Sequence, residues 1–267
     1  MLHMKTTIDG RFFIKHLLAA LCAAAISMGA VAAPKLLVAG DSSTSDYDAS
    51  KMPHRSWARA LEKHMKPGIT IDNYARGGAS TKSFLASGLW EKLVAAIKPG
   101  DYVLIQFGGN DQKRYNQFYI EKRFADPNGL YREIVRRFVK DVREKGGKPV
   151  LVSSCVRGTF DANGKLCQRV DKWGVSLLSY AKAMKELSEE LHTEFVDMNT
   201  LTFAHLSKIG KDTAMKYYVI STGWKKSMDD EPSKDTTHTI DAGADMWAKV
   251  FVEDVKKRNL DIAELFK

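Results

Sequence analysis

The chain has 267 residues, 44% of them hydrophobic, with 41 Lys and Arg against 32 Asp and Glu and a formal net charge of +9. No Gly/Ser/Pro-rich linker, internal repeat or low-complexity tract divides it, so the length fits one large domain better than two small ones. The basic excess suits a polyanion such as an acidic polysaccharide, and the lack of any basic–aromatic stripe argues against nucleic acid.

The first 32 residues read as a signal peptide. Lys5, Arg11 and Lys15 form a basic start, Leu17 to Met28 an apolar stretch, and Ala30-Val31-Ala32 a small-x-small cleavage site. The stretch is too short to span a membrane comfortably. Cleavage leaves residues 33–267, a single secreted or periplasmic domain of 235 residues with a charge of about +7 and no membrane contact once the signal is removed.

Within that domain, Lys35 to Gly40 is short, apolar and ended by glycine, as a buried strand is. Ser56 to Lys66 carries Trp57, Leu61 and Met65 at helical spacing. Ile69 to Asn73 is a second strand. Gly88 to Lys98 is a helix stopped by Pro99-Gly100. Asp101 to Phe107 is a third strand, too continuously apolar for a half-exposed sheet. Leu130 to Lys145 has one apolar stripe through Leu130, Ile134, Val135, Phe138, Val139 and Val142, with Gly146-Gly147 at its end. Pro149 to Ser153 is a fourth strand. Trp173 to Leu191 is a long helix and Phe195 to Met198 a fifth strand. Two short helical patterns and a polar loop, Ser221 to Thr237, lead to a last helix, Asp241 to Lys257. Strands alternating with helices imply an α/β fold with a parallel sheet covered on both faces. Sites in such sheets lie beyond the carboxyl ends of the strands.

Four polar segments fall there. Ser42, in Gly40-Asp41-Ser42, follows strand one at a strand-to-helix turn, and a hydroxyl so placed can act as a nucleophile beside its own N–H. Gly78, in Arg76-Gly77-Gly78, follows strand two and allows close backbone approach. Asn110, in Gly108-Gly109-Asn110-Asp111, follows strand three and offers an amide NH₂. In the late loop, Asp235 precedes His238 by three residues, a spacing that lets the carboxylate hold Nδ1 and leave Nε2 for the serine. His54, His64, His192 and His205 lack a carboxylate at that spacing in a late loop. Ser42, His238 and Asp235 are therefore the candidate triad, and Ser42, Gly78 and Asn110 the candidate oxyanion donors. Ordinary turns, caps and Asx motifs use the same residue types; it is their joint occurrence that points to acyl transfer.

Cys155 and Cys167 are expected to form a disulfide. Export permits one, and Asn163-Gly164 between them marks a hairpin turn. Two cysteines without neighbouring histidines make no metal site.

These segments resemble the Ser, Gly, Asn and His blocks of the SGNH (GDSL-like) hydrolases. Asn73-Tyr74-Ala75-Arg76-Gly77-Gly78-Ala79-Ser80, Phe107-Gly108-Gly109-Asn110-Asp111 and Asp235-Thr236-Thr237-His238 are similar to blocks of the rhamnogalacturonan acetylesterases, and Val152 to Gln168 resembles their Arg-aromatic-Asp-x-Asn-Gly loop. The resemblance implies a flavodoxin-like three-layer α/β/α sandwich with a five-stranded parallel sheet, no cofactor, and deacetylation of pectic rhamnogalacturonan. It implies a nucleophile at Ser42, an acid/base dyad at Asp235 and His238, and oxyanion donors at Ser42, Gly78 and Asn110. The chain departs from the family at Gly109, where histidine is usual, which implies a looser pocket wall. Two other readings stay open: an SGNH esterase or lipase acting on another acyl ester, and a catalytically dead carbohydrate-binding protein on this scaffold.

Overall fold

A computed structural model describes residues 33–267; the expected signal peptide lies outside the described residues. Five strands form one all-parallel sheet in the order β2-β1-β3-β4-β5. They are β1 (Leu36–Gly40), β2 (Ile71–Asn73), β3 (Tyr102–Phe107), β4 (Lys148–Ser153) and β5 (Glu194–Val196). All residues of β3, the central strand, and of its neighbour β1 are buried. The alternation of side chains along a strand divides them between two cores. Leu36, Val38 and Leu104 face one core with Trp57, Trp247 and Phe251, while Leu37, Ala39 and Ile105 face the other with Phe84, Trp90 and Phe138.

Helices cover both faces, as the three-layer expectation requires. On the first lie α1 (Trp57–Ala60), α7 (Met198–Ile209) and α9 (Asp241–Lys257). On the second lie α2 (Thr81–Ala86), α3 (Leu89–Ala96), α5 (Leu130–Glu144) and α6 (Leu177–Glu190). Two short helices, α4 (Gln117–Lys122) and α8 (Lys211–Met215), complete the set. Leu130, the first residue of α5, is exposed, but the expected stripe is buried from the second turn on: Ile134, Val135, Phe138, Val139 and Val142 all face the core. Each such side chain stabilises the fold by roughly 1.5–3 kcal/mol, and Phe138 also stacks on Trp90 with ring centroids 3.9 Å apart. Among the described residues no helix is long and apolar enough to cross a membrane.

The sequence reading has no counterpart for the short helices α2 and α4; its other differences from the structure sit at element ends. The helix after Ser56 is four residues of α-helix and then a 3₁₀ turn, Leu61–His64. Met65 is instead drawn out to bridge Phe266. Strand β5 stops at Val196 because the Asp197 side chain accepts from Thr200 N and caps α7. Helix α6 starts at Leu177, not Trp173: Ser176 and Ser179 form its capping box. Trp173 lies in a turn whose N–H groups at Trp173 and Val175 both donate to Asp171 Oδ1.

The expected Cys155–Cys167 disulfide is not formed; both cysteines are free. The hairpin itself exists, but its register opposes the bond. Phe160 bridges Leu166, and Cys167 N donates to the Thr159 carbonyl at 2.9 Å. Cys167 therefore lies opposite Thr159, and Cys155 sits earlier in the chain, just after β4.

Candidate active site

The carboxyl ends of β1, β3 and β4 and the loop before α9 converge on a cleft of about 310 Å³. Ser42, Asn110, Asp235 and His238 line it, with Asp41, Gly109, Lys113, Cys155, Arg157 and Arg169 among their neighbours. Four of the five sequence-predicted site residues thus meet in one place.

Ser42 stands on a tight turn directly after β1. Thr44 N and Ser45 N both donate to the Asp41 carbonyl, and the Asp41 carboxylate accepts from the Ser43 backbone N–H and hydroxyl, each at 2.9 Å. The turn is not continued as a helix, contrary to expectation; the next helix starts at Trp57. The loop is held from below instead. Gln106, a buried polar residue in an otherwise apolar strand, accepts from Ser43 Oγ at 2.9 Å and from Trp57 Nε1 at 3.0 Å. Tyr47 donates to the Ser42 carbonyl at 2.7 Å. Burial pushes the Asp41 carboxyl up, against the hydrogen bonds from Ser43.

Asp235 Oδ2 lies 2.6 Å from His238 Nδ1, and Asp235 Oδ1 accepts from the backbone N–H groups of Thr237 (2.7 Å) and His238 (3.0 Å). One carboxylate therefore shapes its own loop and orients the ring. Neighbouring backbone pins that loop on both sides: Val219 N donates to the His238 carbonyl, Gly158 N to Thr236 and Arg55 N to Thr239. Burial alone would raise the Asp235 carboxyl, but the hydrogen bonds and charge of His238, with the His54 imidazole close by, outweigh it and hold the group well below the usual carboxylate range.

Asn110 is buried at the end of β3. One N–H of its amide donates to the Ala79 carbonyl at 2.9 Å, and its oxygen accepts from Lys113 Nζ at 2.7 Å. Its second N–H has no acceptor among the described residues, and the same holds for the backbone N–H groups of Ser42 and Gly78. Gly78 takes φ +75°, which favours glycine. It does not line the cleft; it lies one residue from the Ala79 carbonyl held by Asn110, against the Arg123 guanidinium.

Asp111 ties these loops together. Its buried carboxyl accepts from Thr81 N (2.9 Å), Thr81 Oγ1 (2.6 Å) and Gly108 N (3.0 Å), joining the end of β3 to the start of α2. Burial raises it to about 7 despite those donors. A carboxyl raised on folding binds its proton more tightly in the folded state, so its contribution is fully present below about 4 and is lost as pH rises through about 7. Asp111→Asn should therefore flatten the fall of stability with pH between 4 and 7. Urea unfolding of both proteins at several pH values checks this; parallel pH dependences would contradict it.

Gly109 does not leave the wall open. A Cβ there would sit 2.8 Å from Asp41 Oδ2, so the Asp41 carboxylate occupies the space a side chain would need. The Gly109 carbonyl accepts from Arg157 at 3.2 Å, and the Gln112 amide oxygen, turned towards the same guanidinium, accepts at 2.7 and 3.1 Å. Burial lowers both Arg157 and Lys113. Arg169, by contrast, is exposed and has no hydrogen-bond or ion-pair partner among the described residues. The sequence reading singled out neither Lys113 nor Arg169; nothing local marks a cation that only the fold brings to a cleft. It also set His54 aside. His54 packs on His238 with ring centroids 4.6 Å apart, and its Nε2 is 3.6 Å from Asp235 Oδ2. Among the described residues, His54, Asp235 and His238 form the one group able to offer three metal ligands.

Comparison with known proteins agrees with this fold. Residues 38–218 match the model of the GDSL-like Lipase/Acylhydrolase family. The rhamnogalacturonan acetylesterase RhgT of Bacillus subtilis (strain 168) is 30% identical over 230 residues, which cover 86% of this chain and 93% of that one. The crystal structure of the B. subtilis protein YxiM superposes with a TM-score of 0.67 at 26% identity, over 85% of this chain and 57% of that one. Axe2, an acetylxylan esterase from Geobacillus stearothermophilus, shares the fold with a TM-score of 0.58 at 18% identity, over 84% of this chain and 94% of that one. The chain belongs to the GDSL-like lipase/acylhydrolase family and is a carboxylic ester hydrolase.

Proposed function

We propose that this protein is an exported serine esterase that removes acetyl groups from an acidic plant cell-wall polysaccharide, with rhamnogalacturonan of pectin as the preferred substrate. One observation carries the reading: Ser42 and the Asp235–His238 dyad line the same cleft as Lys113, Arg157 and Arg169. The first group suits acyl transfer, and the second suits a carboxylate-bearing sugar. The likeness to RhgT supports the same substrate class. Basic residues around the cleft would also raise the local concentration of a polyanion. At its edge Tyr115 is 71% exposed, a flat face on which a sugar ring can rest.

In the proposed mechanism, Ser42 Oγ attacks the acetyl carbonyl carbon while His238 Nε2 takes its proton. Asp235 holds the ring through Nδ1 and stabilises the imidazolium that forms. The developing oxyanion is stabilised by the N–H groups of Ser42 and Gly78 and by the Asn110 amide; removing one such donor typically costs ~10²–10³ in turnover. His238 then protonates the departing sugar oxygen, and water attacks the acetyl-serine by the same route. These steps use no cofactor.

Acetate release from acetylated rhamnogalacturonan, acetylated xylan and a short-chain aryl acetate tests the reading. Rhamnogalacturonan should give the highest kcat/KM of the two polymers. Equal or better turnover of xylan would remove the acidic substrate. Hydrolysis of the aryl ester alone would favour another acyl ester. Arg169→Ala should raise KM on the acidic polymer by up to about fivefold, the upper end for losing an ion pair at an exposed site. It should leave the aryl acetate unchanged, and added salt should narrow the difference between variant and wild type.

A further inference from the structure

His54 has no role in the chemistry above, yet its position is specific. Its side chain is only 12% exposed and is packed between Tyr47, Trp224 and His238, at centroid distances of 5.3, 5.7 and 4.6 Å. Neither ring nitrogen makes a hydrogen bond. Nδ1 is buried without a partner, and Nε2 at 3.6 Å from Asp235 Oδ2 is beyond hydrogen-bonding distance. A mostly buried imidazole with both nitrogens unspent, beside a carboxylate and a second imidazole, is a ligand set in search of a cation.

The spacing fits a transition metal. One ligand atom from each of His54, Asp235 and His238 lies within 4.8 Å of the others. Ligands ~2.0–2.1 Å from zinc at a tetrahedral angle sit roughly 3.4 Å from each other, close to the 3.6 Å between His54 and Asp235; Asp235 Oδ2 and His238 Nδ1, 2.6 Å apart in their hydrogen bond, must part as the metal replaces the proton between them. Two imidazoles and one carboxylate suit zinc, whereas magnesium prefers all-oxygen coordination. We infer that His54, Asp235 and His238 form a reversible inhibitory zinc site that captures the catalytic dyad.

The binding step balances simply. The single proton of neutral His238 moves through solvent from Nδ1 to Nε2, and Nδ1, Asp235 Oδ2 and one nitrogen of His54 each donate a lone pair to Zn²⁺, with water completing the shell and no net proton released. With that proton on it, Nε2 has no lone pair left to accept the proton of Ser42. Asp235 no longer orients the ring. Inhibition rests on the role proposed for His238; zinc binding does not.

Two measurements separate these. Zinc chloride titrated into the wild-type protein by calorimetry should show one site, with magnesium chloride showing none. His54→Phe keeps a ring between Tyr47 and Trp224, and should weaken zinc binding by at least the ~10–100-fold that loss of even a supporting group costs a metal site. His54→Ala serves as a second variant, and circular dichroism confirms that each folds. In parallel, zinc should abolish wild-type ester hydrolysis and EDTA restore it, with the inhibition curve of His54→Phe shifted to higher zinc by the same factor. No zinc binding by the wild type, or equal binding by folded His54→Phe and His54→Ala, would overturn the site. Zinc bound through His54 with esterase activity undiminished would leave the site standing and overturn the role of His238 instead.

Discussion

Ser42→Ala is expected to lower ester hydrolysis by on the order of 10⁶-fold, the scale seen when a serine nucleophile is removed from a complete triad. Melting temperature should stay close to that of the wild type. The two expectations come from different features of the same turn. Its shape is set by the Asp41 carbonyl and carboxylate, Ser43, Gln106 and Tyr47, and the only part of Ser42 in that network is its carbonyl, which the substitution keeps. Ser42 lines the cleft and its hydroxyl bonds to none of the described residues, so its loss removes the proposed attacking atom and nothing structural. Turnover of an aryl acetate together with a thermal melt checks both parts. Substantial residual turnover would remove Ser42 from the chemistry.

Asp235→Asn should cost about 10⁴-fold in turnover, as an amide in place of a triad carboxylate favours the wrong imidazole tautomer and stabilises no imidazolium. Stability should change in a pH-dependent way. The folded carboxyl is held below its unfolded value by His238 and His54. Its stabilising contribution is therefore present above the unfolded value of ~3.9 and lost as pH falls below it. At pH 7 the variant should unfold at lower denaturant than the wild type, and the gap should close on acidification. The oxygen that accepts from Thr237 and His238 N–H can survive in asparagine, so the loop should keep its shape. Unchanged turnover would make Asp235 a loop carboxylate only.

All five strands and the long amphipathic helices were legible in the sequence because each carries its own periodicity: a short apolar run for β1 or β3, a single stripe for α5. The segments after β1, β2 and β3 were legible as one rim because a parallel sheet puts all carboxyl ends on one side. What escaped depends on contacts between segments distant in sequence. Trp173 has the spacing of a helical core residue, yet Asp171 draws its N–H into a turn and leaves it 49% exposed. Cys155 and Cys167 flank a real hairpin, but which residues face each other is fixed by the Phe160–Leu166 bridge, and that register pairs Cys167 with Thr159. His54 was set aside for want of a carboxylate at the right spacing in its own loop. Its carboxylate is Asp235, reached only through the fold. Arg169 was one basic residue among 41 until the hairpin and α6 set it at the cleft.

The account turns on a single activated serine, and covalent capture tests that most directly. The wild-type protein, its Ser42→Ala variant and its His238→Ala variant are each incubated with a serine-directed phosphonate, and intact mass and peptide mapping locate the adduct. The account predicts one adduct per wild-type chain, on Ser42, none on Ser42→Ala, and labelling slowed by several orders of magnitude in His238→Ala. An adduct on another residue, or a wild-type protein that hydrolyses esters without ever being labelled, would contradict it.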